Sequence, residues 1–116
     1  MYELNLPHQE PIRFAKYIIS KTLDKAIVQI EFDAIPTFGM MIEASAQSSS
    51  AFSHNDLEKG YLVSLKNVEL LQKPISKSFE VEVMNQITLG NMKSIIFNIF
   101  DKKNKIVTGS FVIAIN

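Results

Sequence analysis

Hydrophobic and polar residues alternate along much of this chain with the two-residue period of β-strands. In residues 26–32, Val28, Ile30 and Phe32 lie on one side, and the polar residues between them lie on the other. This is the pattern of a half-buried strand. Four more strands are predicted in the second half of the chain, at residues 61–71, 79–89, 92–100 and 106–115. The pair Gly90-Asn91 predicts a tight turn between the second and third of these.

A different pattern occupies residues 39–53, which are apolar and small and predict a buried helix with Thr37 as its N-cap. Serines at 48–50 favour helix formation poorly, but small side chains allow a helix to lie close to a sheet. A serine-rich loop is the alternative for this run. Near the N-terminus, Pro11 is compatible with the first turn of a short helix through Phe14, Tyr17 and Ile18.

The order of these elements predicts one α+β domain over residues 1–116. A strand, a long apolar helix and then four consecutive antiparallel strands indicate a sheet of about five strands wrapped round one central helix. A chain of 116 residues, 47% hydrophobic and 21% charged, is large enough for one core and too short for two.

Charge and composition exclude several functions. Twelve basic residues balance twelve acidic ones, so we expect no nucleic-acid partner. The absence of cysteine removes disulfides and thiol nucleophiles, and two distant histidines give no recognisable metal-ligand spacing. No apolar stretch reaches transmembrane length, so we expect a cytoplasmic protein without membrane insertion. We expect neither a metal nor a cofactor.

The chemistry is expected on the predicted helix. Glu43 and Gln47 are four residues apart, which places both side chains on one helical face. A carboxylate in an apolar segment must be solvated, paired or used in chemistry, because burying it alone is costly.

Three segments resemble the β-hydroxyacyl-ACP dehydratases of the hot-dog superfamily. They are Leu6-Pro7-His8 followed by Pro11, the helical stretch that reads Glu-Ala-Ser-Ala-Gln at residues 43–47, and residues 65–83, where a basic residue and a proline end a strand. The chain is also similar to hot-dog acyl-CoA thioesterases. The resemblance implies the hot-dog fold and an acyl-thioester ligand of the kind found in fatty acid metabolism, carried on CoA or on acyl-carrier protein.

The chain departs from the dehydratase pattern at the second catalytic residue. The resemblance makes Glu43 one half of the catalytic pair, but the matching loop at residues 32–38 contains no histidine, and Lys16 replaces an aspartate. His54 lies eleven residues beyond Glu43, about 16 Å along a helix. Dehydration needs both a base and an acid, so a dehydratase of the usual mechanism is not expected.

The resemblance to thioesterases suggests a hydrolase that uses a single helix carboxylate. Glu43 would be the nucleophile or the base for water, and Gln47 would orient water or substrate. Asp33 is the other carboxylate expected nearby. The backbone N–H near Gly39 would polarise the thioester carbonyl. Phe38, Met40 and His8 complete the residues expected to contact substrate.

Two alternatives to a hydrolase stay open. One is a regulatory protein that binds acyl-CoA and has lost the catalytic machinery. The other is that Glu43 and Gln47 are a satisfied polar pair at a subunit interface. In every case we expect a homodimer or a dimer of dimers, because the sheet leaves edge strands open and hot-dog domains resemble one another in pairing such edges.

Overall fold

The structure is a computed structural model that describes residues 2–3, 13–52 and 60–115. These residues form seven strands and one helix, which continues as a short 3-10 helix. In chain order they are β1 (Tyr2–Glu3), β2 (Ala15–Lys21), β3 (Lys25–Glu31), α1 (Phe38–Ser48), the 3-10 helix (Ser49–Phe52), β4 (Gly60–Leu70), β5 (Ser78–Leu89), β6 (Met92–Asp101) and β7 (Asn104–Ile115). The strands make one antiparallel sheet in the order β1-β2-β3-β5-β6-β7-β4. The predicted α+β architecture is confirmed.

The five predicted strands lie within two residues of their expected bounds. The helix predicted over residues 39–53 is α-helical only to Ser48, and the 3-10 helix continues it to Phe52. The short N-terminal helix was a wrong prediction, because this segment forms β2. Ala15 and Ile18 are buried there, and Ile18 lies opposite Val28 of β3. Pairing with β3 satisfies the backbone of β2 and buries its apolar side chains, and both gains exceed the small local preference for a helix. With β1 and β2, the sheet exceeds the expected five or so strands.

The hydrophobic core lies between α1 and one face of the sheet, which we call the inner face. Met41 and Ala44 of α1 are fully buried against it. The strands contribute alternate residues to this core: Ala26, Val28, Ile30, Phe79, Val81, Val83, Ile95, Phe97, Ile99, Val107, Phe111 and Ile113. The intervening residues face the opposite side, which we call the outer face. The period of two in the sequence therefore separates the two faces as predicted.

Two serines of α1 are buried in the core, and both are hydrogen-bonded within the helix. Ser45 Oγ donates to the carbonyl oxygen of Met41 at 3.0 Å, and Ser48 Oγ donates to that of Ala44 at 2.7 Å. Hydroxyls satisfied in this way can be buried without a large desolvation penalty. Small residues at these positions let α1 pack closely on the sheet. A serine-rich loop in place of the helix is therefore excluded.

Two glycines have a backbone reason for their positions. Gly90 has a φ of +59° in the turn between β5 and β6, a conformation that favours glycine. A Cβ on Gly109 of β7 would lie 2.8 Å from Val68 Cγ2 and 2.9 Å from Val68 Cα. Glycine at 109 therefore allows β4 to pass close to β7.

The inner face is not covered equally along its width. Leu62, Leu65 and Leu70 of β4 lie opposite Ile113, Phe111 and Val107 of β7, so they point to the same side as the core. Nevertheless all three leucines are exposed. Helix α1 packs mainly against β2 and β5, and within the described part of the chain no helix lies over the β4 side of the inner face.

Candidate functional site

The start of α1 presents backbone N–H groups next to the candidate residues. Thr37 is the N-cap, as predicted, because its Oγ1 accepts a hydrogen bond from the Met40 N–H at 3.2 Å. The first intrahelical bond runs from the Met41 N–H to the Thr37 carbonyl at 3.1 Å. The N–H groups of Phe38 and Gly39 precede this bond and have no acceptor within the helix. The helix dipole adds partial positive charge at the same point, which favours an anion.

Gly39, Glu43 and Gln47 follow one stripe of α1, because they are spaced by four residues. Each step of four residues rotates the position by about 40° and advances it by about 6 Å. The stripe therefore turns from solvent towards the core. Gly39 and Glu43 are exposed, whereas Gln47 is only 3% exposed. The carboxylate of Glu43 thus lies one turn beyond the N–H groups at the start of the helix.

Gln47 contacts the backbone on one side and Glu43 on the other. Its Oε1 accepts hydrogen bonds from the N–H groups of Phe14 at 2.8 Å and Ala15 at 3.1 Å. Its Nε2 donates to Glu43 Oε1 at 3.3 Å. The sequence predicted that Glu43 and Gln47 share a face. It gave no indication that the backbone just before β2 would occupy the amide oxygen of Gln47, since this contact joins residues more than thirty positions apart.

The other candidate residues differ in their surroundings. Phe38 and Met40 are half-buried and pack against the core, so each also has surface outside it. Asp33 is exposed in the connection between β3 and α1, and within the described residues its side chain makes no hydrogen bond or ion pair. The candidate residue His8 lies outside the described residues, and so does His54.

A polar cluster that the sequence analysis did not single out lies on the outer face. Glu82 forms an ion pair with Lys25 at 2.9 Å and accepts a hydrogen bond from Asn98 Nδ2 at 3.1 Å. Thr108 Oγ1 donates to Asn98 Oδ1 at 2.7 Å. Burial alone would raise the pKa of Glu82, but the Lys25 ammonium and the Asn98 amide, with a smaller contribution from Lys105, hold it below its usual value. The alternating pattern places these residues outward, but only the strand register shows that they meet.

Within the ranges that the structure describes, no cluster of three or more histidine, cysteine, aspartate or glutamate side chains could hold a metal ion. None of the helices in those ranges is long and apolar enough to cross a membrane.

Comparison with known proteins gives structural matches only. No protein-family model matches the chain, and neither does any curated protein sequence. Among solved structures, the dehydratase heterocomplex ApeI:P from Xenorhabdus doucetiae matches with a TM-score of 0.81 and 16% identity, over 98% of this chain and 91% of that chain.

Two further solved structures have a similar fold. A homologue of HP0420 from Helicobacter felis has a TM-score of 0.75 and 18% identity, over 97% of this chain and 85% of that chain. A hypothetical thioesterase with coenzyme A from Streptococcus pneumoniae has a TM-score of 0.70 and 8% identity, over 85% of this chain and 84% of that chain. At such low identities the likeness shows the fold alone. The chain has the hot-dog fold, in agreement with the resemblance seen in its sequence.

Proposed function

We propose that the protein hydrolyses acyl thioesters, carried on CoA or on acyl-carrier protein, with Glu43 as the catalytic carboxylate. One observation carries this proposal: the exposed carboxylate of Glu43 is held by the buried amide of Gln47, one turn beyond the N–H groups at the start of α1. A carboxylate and an anion-favouring helix start are the two groups that hydrolysis of a thioester needs.

The reaction would proceed in two steps. Glu43 would take a proton from a water molecule while the water oxygen adds to the thioester carbonyl carbon. The negative charge on the carbonyl oxygen would be stabilised by the N–H of Gly39 and the helix dipole. The carbon–sulfur bond would then break, and the sulfur would leave as a thiol that takes the proton back from Glu43. If Glu43 were instead the nucleophile, its carboxylate oxygen would add to the carbonyl carbon, the carbon–sulfur bond would break and the thiolate would leave, and water would then hydrolyse the resulting anhydride to the acid and free Glu43.

The apolar residues at the start of α1 support an acyl ligand. Part of each Phe38 and Met40 side chain packs against the core, and the rest is exposed at the edge of the core. Such residues could contact an acyl chain that lies beside the helix. Asp33 remains a candidate second carboxylate in the preceding connection. Further support comes from the fold, which this chain shares with a thioesterase that holds coenzyme A and with a dehydratase heterocomplex.

A second candidate function is the binding of acyl-CoA without turnover, in a regulatory role. The observation that favours it is the sequence of residues 32–38, which contains no histidine where the dehydratases have a catalytic one. A protein that had lost half of a catalytic pair could retain the apolar site and the helix start that hold the ligand.

We also propose that the protein is a homodimer joined through β4, or a dimer of such dimers. Strand β4 is eleven residues long and lies at the edge of the described sheet, where β7 is its one partner among the strands of residues 2–3, 13–52 and 60–115. Leu62, Val63 and Leu65 are exposed along it. A long apolar edge strand tends to pair with another strand. A second β4, related by a two-fold axis, would continue the sheet and cover these side chains. The balance of basic and acidic residues opposes this association little.

The test of the hydrolase is the substitution Glu43→Gln, assayed with acyl-CoA thioesters of different chain lengths by release of free thiol. Glutamine keeps the shape of the side chain but is neither a base nor a nucleophile. We expect hydrolysis to fall by about 10² or more, while acyl-CoA binding, measured by calorimetry, changes little. The matched control is Glu80→Gln, because Glu80 alternates with the core residues Phe79 and Val81 and so faces away from α1.

The possible outcomes separate the two candidate functions. Wild-type hydrolysis that survived Glu43→Gln would remove Glu43 from the mechanism and make Asp33 the next residue to test. If the wild type hydrolysed no thioester in the panel, the hydrolase would be rejected. Native mass spectrometry that then found acyl-CoA bound to the purified protein would support the regulatory alternative.

A further inference from the structure

The amide of Gln47 is held in one orientation by the chain itself. Its oxygen can only accept hydrogen bonds and its NH₂ group can only donate them. Because Oε1 accepts from two successive backbone N–H groups, those of Phe14 and Ala15, the Nε2 atom must point the other way. If the amide turned over, its NH₂ group would face two other donors, in a buried position where unpaired donors are costly.

This orientation fixes which group Glu43 meets. Nε2 of Gln47 lies 3.3 Å from Glu43 Oε1. Two polar side chains four residues apart on an exposed helical face would be free to rotate and to exchange their partners with water. Gln47 is buried and held by the backbone, so it presents a donor to Glu43 in a constant direction.

We infer that Gln47 is a positioning residue, which orients the Glu43 carboxylate and connects it to the segment that leads into β2. Gln47 thus acts through Glu43, and it does not itself need to contact water or substrate. The catalytic consequence rests on the proposed function, whereas the coupling between the two side chains does not.

Two charged side chains near α1 are hydrogen-bonded to backbone carbonyl groups. Near the start of β2, the Lys16 ammonium donates to the Arg13 carbonyl at 2.6 Å, and Arg13 Nε donates to the Ala15 carbonyl at 3.2 Å. On β5, Glu80 and Glu82 alternate with buried core residues and face the outer side. A response of the Gln47 amide signals to Glu43 can therefore be separated from the carboxylates of β5.

The first measurement uses the wild-type protein. Side-chain amide and carboxyl signals are followed by NMR from about pH 3 to pH 8, a range that includes the usual pKa of a glutamate. We expect the Gln47 amide signals to move with the same midpoint as the Glu43 carboxyl signal. The exposed Gln72 serves as the internal control and should not follow that midpoint. The movement should disappear in Glu43→Gln. A Gln47 signal that ignores the titration of Glu43 would overturn the inference, with no variant of Gln47 required.

The second measurement uses Gln47→Glu. One oxygen of the new carboxyl group can still accept from Phe14 and Ala15, but the other faces Glu43 in place of a donor. Two carboxyl groups at this distance resist ionising together, so the pKa of the pair should rise by at least one pH unit. If hydrolysis is present, the acid limb of its pH profile should move to higher pH by the same amount. Gln72→Glu adds the same charge elsewhere, and it should change neither the pKa of Glu43 nor the pH profile of hydrolysis.

The two measurements separate the inference from the function. A wild type without hydrolysis would reject the hydrolase and leave the NMR result to decide on the coupling. A pKa of Glu43 that stayed unchanged in folded Gln47→Glu would overturn the coupling even if hydrolysis were present.

Discussion

Ile95 and Leu65 occupy the same row of the sheet, one on each side of Phe111, yet their surroundings differ. Both point to the inner face, because each lies directly opposite Phe111. Ile95 is 1% exposed and Leu65 is 44% exposed. The two positions are similar in residue type and in their pairing with Phe111, although Ile95 also pairs with Asn85 of β5 and Leu65 lies on the edge strand. The difference arises from their surroundings: Ile95 belongs to the buried core that also contains Met41 and Ala44 of α1, and Leu65 lies on the edge strand, over which the described residues provide no helix.

This difference shows where the chain completes its own core and where it does not. In the core that contains Met41 and Ala44 of α1, side chains from β3, β5, β6 and β7 are buried. Along β4, the apolar pattern continues without a covering element from the described residues. Apolar residues on an uncovered sheet face and an unpaired strand edge occur together here, which is the combination typical of an interface. The proposed catalytic residues lie on α1, which covers the core, and the proposed dimer interface lies along β4.

The largest effect is expected from replacing each of these two residues with alanine. Ile95→Ala should lower the free energy of unfolding by about 2–5 kcal/mol, because it removes buried methyl groups and leaves a cavity. Leu65→Ala should cost the monomer less than about 1 kcal/mol, because its side chain already contacts solvent. Urea unfolding at submicromolar protein concentration, where association contributes least, measures both.

If Ile95→Ala and Leu65→Ala lost the same free energy of unfolding, the comparison between the two regions would be wrong. Equal losses would show that Leu65 is covered in the folded monomer. A loss at Leu65 that grew with protein concentration would instead indicate that a second copy covers it.

Ile95 and Leu65 show why the strands could be predicted from the sequence. Alternation alone assigns Ile95 and Leu65 to strands, since period and turn residues are local properties. It also assigns both to an apolar face. Whether such a face is buried depends on which distant elements lie over it, and the position of α1 over β2 and β5 is not a local property. The N-terminal segment failed as a prediction for the same reason, since only pairing with β3 makes residues 15–21 a strand.

The candidate site also combines features that the sequence predicts with features that only the structure shows. The shared face of Glu43 and Gln47 follows from their spacing, and Thr37 follows from the preference for hydroxyl groups at helix N-caps. The difference in burial between Glu43 and Gln47 does not follow from their spacing. Glu43 is exposed and Gln47 is buried because the stripe rotates towards the backbone of Phe14 and Ala15, a contact between segments far apart in sequence. The sequence therefore indicated which residues to consider, and the structure shows that Gln47 is the one that is buried and bound to the backbone.

A charge at position 65 tests the interface with a smaller expected effect. In Leu65→Lys, pairing of two β4 strands would bring the new ammonium groups near the axis between the copies, where they would lose solvent and repel each other. We expect the dimer to weaken by at least about tenfold, or about 1.4 kcal/mol. Light scattering over a concentration series measures this. The matched control is Leu23→Lys, since Leu23 is a fully solvated leucine in the turn between β2 and β3.

Two results would reject the proposed interface. One is a wild-type mass of 13.1 kDa at micromolar concentration, which is the mass of a single chain. The other is a dimer that forms equally well with lysine at position 65, which would place the interface elsewhere.

The smallest effect concerns the outer face, where Lys25 and Glu82 join β3 to β5 on the opposite side from α1. The pKa of Glu82 is held below its usual value in the folded protein, so its contribution to stability is present above the unfolded pKa of about 4.3 and is lost as the pH falls through the folded pKa. In Lys25→Met the ammonium is removed, and the pKa of Glu82 should rise.

Because Lys25 is half exposed, solvent screening limits this contribution, and we expect Lys25→Met to cost about 0.5 kcal/mol at pH 7. The cost should shrink towards zero as the pH falls through the lowered pKa of Glu82 in the folded wild type, because Glu82 is then protonated in both proteins. Urea unfolding at pH 7 and pH 3 measures it, with Lys21→Met as the control, because Lys21 is an exposed lysine on the neighbouring strand β2. A cost that was the same at both pH values would mean that Lys25 stabilises the sheet through its aliphatic stem. The outer face would then be held by packing, as the core under α1 is, and the charge on Glu82 would contribute nothing to stability.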